Sequence, residues 1–171
     1  MSRLAIDGGE KARRAPFPSR RLFGEEEKAA AMAMFDSAIE SGVAFGYNGP
    51  EEQAYEKEFA EFMRGGYADM VSSGTSAIFV ALGVLQLEPL SEVIVPPITD
   101  PGGIMPVPML NGVPIISDAQ PGSYNMGPDQ IEEVLTERTR AIIVGHIAGE
   151  PADMDPIMEI ARARNLPVIE D

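Results

Sequence analysis

Short apolar segments alternate with helical patterns through the second half of the chain, and this alternation constrains the fold most strongly. Because these segments are uniformly apolar, both faces of the sheet that they form must be covered. The first intervening helix, residues 75–87, is apolar on nearly all sides and is expected to be buried. The pattern predicts a three-layer α/β fold, a mostly parallel sheet with helices on both faces. The predicted strands are residues 68–72, 93–95, 113–117, 141–145 and 167–171, and later helices begin at Pro128 and at an Asp155 N-cap.

The chain before this sheet is organised differently. Residues 1–24 carry six Arg or Lys residues and two prolines without periodicity, which is typical of an extended, partly ordered terminus. An arm that packs on a second subunit is the functional alternative. Residues 25–66 predict two helices, one that ends near Gly42 and one that begins at Pro50. Residues 67–171 are then the α/β domain.

The composition excludes several classes of function. Lys and Arg total 13 and Asp and Glu total 27, which gives a formal net charge of −14 and argues against binding to nucleic acid or to an anionic membrane. The absence of cysteine and the single histidine exclude disulfides, thiol catalysis and Cys-based or multi-His metal sites within one chain. No apolar stretch approaches the about 20 residues of a membrane helix, and the N-terminus lacks the apolar region of a signal peptide. We expect a soluble, cytoplasmic protein without a metal.

The last predicted strand ends on two carboxylates, Glu170 and Asp171. A strand in a parallel sheet needs covering elements on both faces, so we expect residues 67–171 to be an incomplete domain. An edge strand at a natural terminus is the alternative.

The first candidate site is the segment Ser72–Ser76, between a predicted strand and a helix. Small residues allow backbone N–H groups to approach an anion, a helix N-terminus favours negative charge, and the hydroxyls of Thr75 and Ser76 are further donors. This arrangement suits a phosphate, and a plain N-cap is the alternative. The segment lacks the Gly-Lys-Ser/Thr ending of a P-loop, and no G-x-G-x-x-G follows any strand.

Three further candidates follow predicted strands, where ligands of parallel sheets bind. The carboxylate of Asp171 can pair with a cation or a protonated ring nitrogen, or can be an ordinary terminal acid. His146 can act near a site, although a lone histidine is more often structural. The segment with Thr99 and Asp100 is rigidified by prolines and can equally be a structural turn.

Seven motifs follow one another along the chain, at residues 48–50, 73–77, 93–96, 111–114, 139–146, 149–155 and 166–171. Their order and spacing resemble those of the DegT-type sugar aminotransferases, relatives of aminohydroxybenzoate synthase. These are fold-type I enzymes that use pyridoxal 5′-phosphate (PLP). The resemblance covers nearly the whole chain but only the N-terminal part of the family's length.

The resemblance implies roles for individual residues. Gly74, Thr75 and Ser76 would cradle the PLP phosphate, and Asp171 would keep the pyridine nitrogen protonated, which makes the ring an electron sink. His146 would lie near the site. Asp100 stands where many members have an aromatic residue that stacks on the cofactor. The implied partners are a second copy of the chain, an amino donor and a keto sugar or cyclitol acceptor.

The family's Schiff-base lysine lies beyond the position of Asp171. The three lysines of this chain, Lys11, Lys28 and Lys57, all precede the sheet and match no catalytic position. We therefore expect the N-terminal part of a PLP-dependent aminotransferase that is inactive alone. A short non-catalytic module for dimerisation or scaffolding is the alternative, and the missing glycine fingerprint counts against a Rossmann-type nucleotide binder.

Overall fold

The computed structural model describes residues 3–171, which divide into two compact units. One unit ends at Tyr55, and the other extends from Glu56 to Asp171. The segment boundaries expected from the sequence, after residues 24 and 66, stay predictions. Met1 and Ser2, at the start of the predicted arm, lie outside the described residues.

The first unit contains an exposed arm and helix α1, Glu25–Ser41. The backbone N–H of Gly24 donates to the carboxylate of Glu27 at 2.6 Å, which caps the start of α1. The helix ends at Gly42, whose φ of 69° is left-handed, as expected of a glycine stop. A second helix, α2 (Pro50–Phe62), begins in this unit and continues into the next. Both predicted helices are confirmed, and neither contains a buried residue.

The second unit is built on a four-stranded sheet in the order β2-β1-β3-β4, in which all neighbours are parallel. This arrangement confirms the predicted α/β fold. Strand β3 is central and entirely apolar after Arg140, as a strand covered on both faces should be. The strands are β1 Glu92–Val95, β2 Val113–Ile116, β3 Thr139–Val144 and β4 Val168–Glu170.

Four helices of this unit follow α2, and two separate apolar clusters show that the sheet is covered on both faces. On one face, Ile142 and Val144 pack with residues of α5 and α6. On the other face, Ala141 and Ile143 pack with residues of α3 and α4. The helices are α3 Gly74–Val84, α4 Pro106–Met109, α5 Pro128–Val134 and α6 Met154–Arg164. No helix within residues 3–171 is long and apolar enough to cross a membrane.

Three local predictions are wrong. Residues 68–72 form no strand, because the N–H of Met70 donates to the side chain of Glu56 at 2.9 Å rather than to a neighbouring strand. Helix α3 is not buried on all sides: it buries Ile78 and Leu82, whereas Val84 at its end is 75% exposed. Helix α6 begins one residue before Asp155, which lies in its first turn rather than at its N-cap.

Candidate functional site

The candidate site lies at the carboxyl ends of β1, β3 and β4, where parallel sheets bind ligands. The turn after β1 contains Thr99 and Asp100, the loop after β3 contains His146, and Asp171 follows β4 directly. The N–H of Asp171 donates to the carbonyl of Val144 at 2.8 Å, and the N–H of His146 donates to the carbonyl of Asp171 at 3.0 Å. The parallel ladder therefore fixes the backbone of both residues.

The N-terminus of α3 has an internal cap and two available donors. The Ser73 hydroxyl accepts from the N–H of Ser76 at 3.1 Å, so Ser73 caps the helix and Thr75 does not. The first N–H groups of a helix have no acceptor within the helix. Within the described residues, the N–H groups of Gly74 and Thr75 find no acceptor elsewhere either. A Cβ on Gly74 would meet no atom within 4 Å. The geometry thus leaves two N–H groups open to an anion.

A short 3-10 helix, Pro101–Gly103, brings the turn after β1 against α3 and against Asp171, which follows β4. The Asp100 carboxylate accepts from the N–H of Gly102 at 2.6 Å and so caps this helix. A Cβ built on Gly102 would lie 2.5 Å from Oγ1 of Thr75. A Cβ built on Gly103 would lie 3.2 Å from Oδ2 of Asp171. The structure thus brings Thr75, Asp100 and Asp171 around one pair of glycines.

Two causes raise the pKa of the Asp171 carboxyl above its usual range. The larger cause is burial, and the second is the negative charge of Asp100; His146 acts in the opposite direction. Asp171 remains exposed to solvent, and a carboxylate beside a second carboxylate is relieved by a proton or by a cation. A protonated ring nitrogen is such a cation, so the electrostatics of Asp171 fit the acid that the resemblance implies.

His146 is held by a separate set of contacts. Its Nδ1 accepts from the N–H of Ala152 at 3.1 Å, and its Nε2 lies 3.1 Å from Oε2 of Glu170. This geometry fits the tautomer that carries its proton on Nε2. Side chains alternate between the faces of a sheet, so Glu170 and its partner His146 lie on the α5–α6 face and Asp171 lies on the α3–α4 face.

Sequence reasoning missed several residues that shape the site. Gly102 and Gly103 are two of these residues, although a Gly-Gly pair after Asp-Pro indicates close backbone approach. The buried Asn125 was missed without any local signal. Its side chain donates to the carbonyl of Glu150 at 2.7 Å and accepts from the N–H of Ile147 at 2.9 Å, and so holds the loop after β3. Residues 3–171 contain no cluster of three or more acids or histidines suited to a metal.

Several proteins are similar to this chain in sequence and in fold. The chain is 31% identical over 175 residues to L-glutamine:scyllo-inosose aminotransferase from Streptomyces griseus, with 99% of this chain and 40% of the relative covered. It is 36% identical over 162 residues to dTDP-4-dehydro-2,6-dideoxy-D-glucose 3-dehydratase from Saccharopolyspora spinosa, covering 90% and 34%. The crystal structure of NtdA from Bacillus subtilis with the bound cofactor PMP superposes with a TM-score of 0.81 at 33% identity, covering 94% of this chain and 38% of NtdA.

The chain thus spans about 40% of the length of the Streptomyces griseus relative. The match to the family itself extends from residue 25 to residue 171 and includes every residue of the candidate site. The chain belongs to the DegT/DnrJ/EryC1/StrS aminotransferase family.

Proposed function

We propose that the protein containing these residues is a PLP-dependent aminotransferase that transfers an amino group from an amino acid to a keto sugar or cyclitol. One observation carries the proposal. The free N–H groups at the start of α3 and the raised-pKa carboxyl of Asp171 converge on the same short helix, Pro101–Gly103. An anion site and an acid suited to a cation are the two groups that a phosphorylated pyridine needs.

Within this chain, the N–H groups of Gly74 and Thr75 and the hydroxyls of Thr75 and Ser76 would bind the phosphate. The Asp171 carboxylate would hold the proton on the ring nitrogen. When bound, PLP supplies an electron sink for the carbanion left by loss of the substrate's α-proton. PLP is the cofactor of the intact family enzymes, as the PMP-bound NtdA structure supports.

Asp100 and His146 would act at the edges of this site. Asp100 supplies a second negative charge beside Asp171 and orders the turn through the N–H of Gly102. His146 would hold the β4 end in place through Glu170. In this proposal neither residue stacks on the ring.

We propose further that residues 1–171 alone do not transaminate, because no lysine belongs to the site. Lys28 pairs with Glu25 at 3.1 Å, and Lys57 lies 4.0 Å from Glu61; each pair lies within one helix and is exposed. Lys11 lies in the exposed arm. The nucleophilic lysine that activates such a cofactor would come from other residues of the protein.

We also propose a homodimer in the cytoplasm. Exposed apolar side chains support an interface: Phe23 is 87% exposed in the first unit, and Val84 is 75% exposed in the second. The arm and the loop from Val43 to Pro50 are the segments that we expect to reach a second copy. A monomer by light scattering at micromolar concentration would contradict this part of the proposal.

The function is tested by incubating the protein with PLP, reducing it with borohydride and mapping any adduct by mass spectrometry. The whole protein should be labelled at one lysine outside residues 1–171 and should aminate a keto sugar when an amino donor is present. Residues 1–171 alone should show only low, scattered labelling. An Asp171→Asn variant of the whole protein should lose amination, and an exposed-surface variant, Glu61→Gln, should retain it.

Three outcomes would contradict the proposal in different ways. Stoichiometric labelling of Lys11, Lys28 or Lys57 together with turnover would show that this chain holds its own catalytic lysine. A dehydrated sugar formed without an amino donor would assign the reaction of the Saccharopolyspora spinosa relative instead. A whole protein that neither binds PLP nor turns over would favour a scaffold of the same fold.

A further inference from the structure

Two consecutive glycines, Gly102 and Gly103, lie between the groups that would hold the two ends of the cofactor. Both are buried in the 3-10 helix Pro101–Gly103. Neither has a positive φ, so the backbone conformation would accept another residue. The space around their α-carbons, rather than the backbone conformation, is what requires glycine.

Gly102 packs against the phosphate side of the site. A Cβ at this position would lie 2.5 Å from Oγ1 of Thr75 and 2.8 Å from Oδ1 of Asp100. Asp100 cannot simply retreat, because its carboxylate is held by the N–H of Gly102 itself. The Thr75 side chain would therefore rotate, and its hydroxyl would leave the anion site.

Gly103 packs against the acid side. A Cβ here would lie 2.5 Å from Oγ1 and 3.2 Å from Cγ2 of Thr99, and 3.2 Å from Oδ2 of Asp171. Both branches of the Thr99 side chain are close, so rotation of this stiff β-branched residue exchanges one contact for another. The added Cβ would therefore also displace the Asp171 carboxylate.

We propose, on the basis of the proposed function, that Gly102 and Gly103 are positioning residues with separate tasks. Gly102 leaves the space in which the Thr75 hydroxyl can face the phosphate. Gly103 leaves the space in which the Asp171 carboxylate can face the ring nitrogen. Together they fix the separation between the anion site and the acid, because the turn touches both without intervening side chains.

The test measures the affinities of the protein for inorganic phosphate and for pyridoxamine phosphate, which needs no lysine, by calorimetry. Gly103→Ala should lower the affinity for pyridoxamine phosphate by about tenfold, which corresponds to one charged hydrogen bond. It should leave the affinity for inorganic phosphate within about twofold of the wild type. Gly102→Ala should weaken both ligands by about tenfold. Gly83→Ala is the matched control, because a Cβ there meets no atom within 4 Å, and it should change neither affinity.

Thermal unfolding of each variant separates positioning from general loss of stability. The inference is overturned if either site variant binds both ligands like the wild type, or if Gly103→Ala loses as much affinity for phosphate as for pyridoxamine phosphate. If Gly103→Ala does not fold, Thr99→Ala removes two of its three close atoms, and the double variant is compared with Thr99→Ala alone. If the double variant and Thr99→Ala bind pyridoxamine phosphate with equal affinity, the inference is also overturned. A wild type that binds neither ligand would contradict the proposed function itself.

Discussion

Replacing Ser73 by alanine is expected to destabilise the fold, whereas replacing Thr75 by alanine should leave its stability almost unchanged. Ser73 accepts the N–H of Ser76 at 3.1 Å, and loss of such an N-cap costs about 1 kcal/mol. Ser73 is exposed, so water can replace part of the lost bond and the cost should lie in the lower half of the usual range, about 0.5–1 kcal/mol. A change of about 1 kcal/mol lowers Tm by roughly 2–4 °C in a protein of this size.

Urea denaturation measures the stability of each variant, and calorimetry with phosphate measures anion binding. Ser73→Gly should cost only a few tenths of a kcal/mol, roughly, because glycine is tolerated at an N-cap. Thr75→Ala should weaken phosphate binding, and Thr75→Ser, which keeps the hydroxyl, should retain it. The reasoning is refuted if Thr75→Ala carries the stability loss, or if Thr75→Ala binds phosphate as tightly as Thr75→Ser.

Three further variants test the core and the charges. Ile142→Ala should cost about 2–5 kcal/mol in urea denaturation, because Ile142 is fully buried in the central strand. The hydrogen bond from Thr136 and the charge of Arg138 hold the pKa of Glu92 below its usual range. The stability that ionised Glu92 contributes is therefore present above the pKa of Glu92 in the unfolded chain, and it is lost as pH falls through the pKa in the folded chain. Glu92→Gln should flatten this dependence of Tm on acid pH. Asp100→Asn keeps an acceptor for the turn but removes a charge, so the pKa of Asp171, followed by carbon NMR, should fall and yet stay raised by burial.

The elements that could be predicted from sequence are those whose signals are local. The apolar run of β3 and the glycine stop at Gly42 identify their elements without knowledge of their neighbours. The supposed strand at residues 68–72 has a similar local signal, but a strand also needs a neighbouring strand, and here Glu56 takes the N–H of Met70. Helix α4 was missed because its prolines indicate a turn, although Pro106 at the first helical position is compatible with a helix.

The same distinction applies to the candidate site. Asp171 could be found because parallel sheets bind ligands at the carboxyl ends of their strands. The segment Ser72–Ser76 could be found because small residues at a helix N-terminus suit an anion. The capping role of Ser73 could not be separated from that of Thr75 in sequence, since either residue type can cap a helix. The Gly-Gly pair indicates a close backbone approach, but the role proposed for Gly103 could not be predicted, because it depends on Asp171, which lies 68 residues later in the chain.

A crystal structure of the protein with pyridoxamine phosphate would test the proposed site most directly. We expect the phosphate to accept from the N–H groups of Gly74 and Thr75, and the ring nitrogen to lie within hydrogen-bond distance, about 2.7–3.2 Å, of the Asp171 carboxylate. A phosphate bound elsewhere, or a ring nitrogen directed away from Asp171, would contradict the assignment of these two groups to one cofactor.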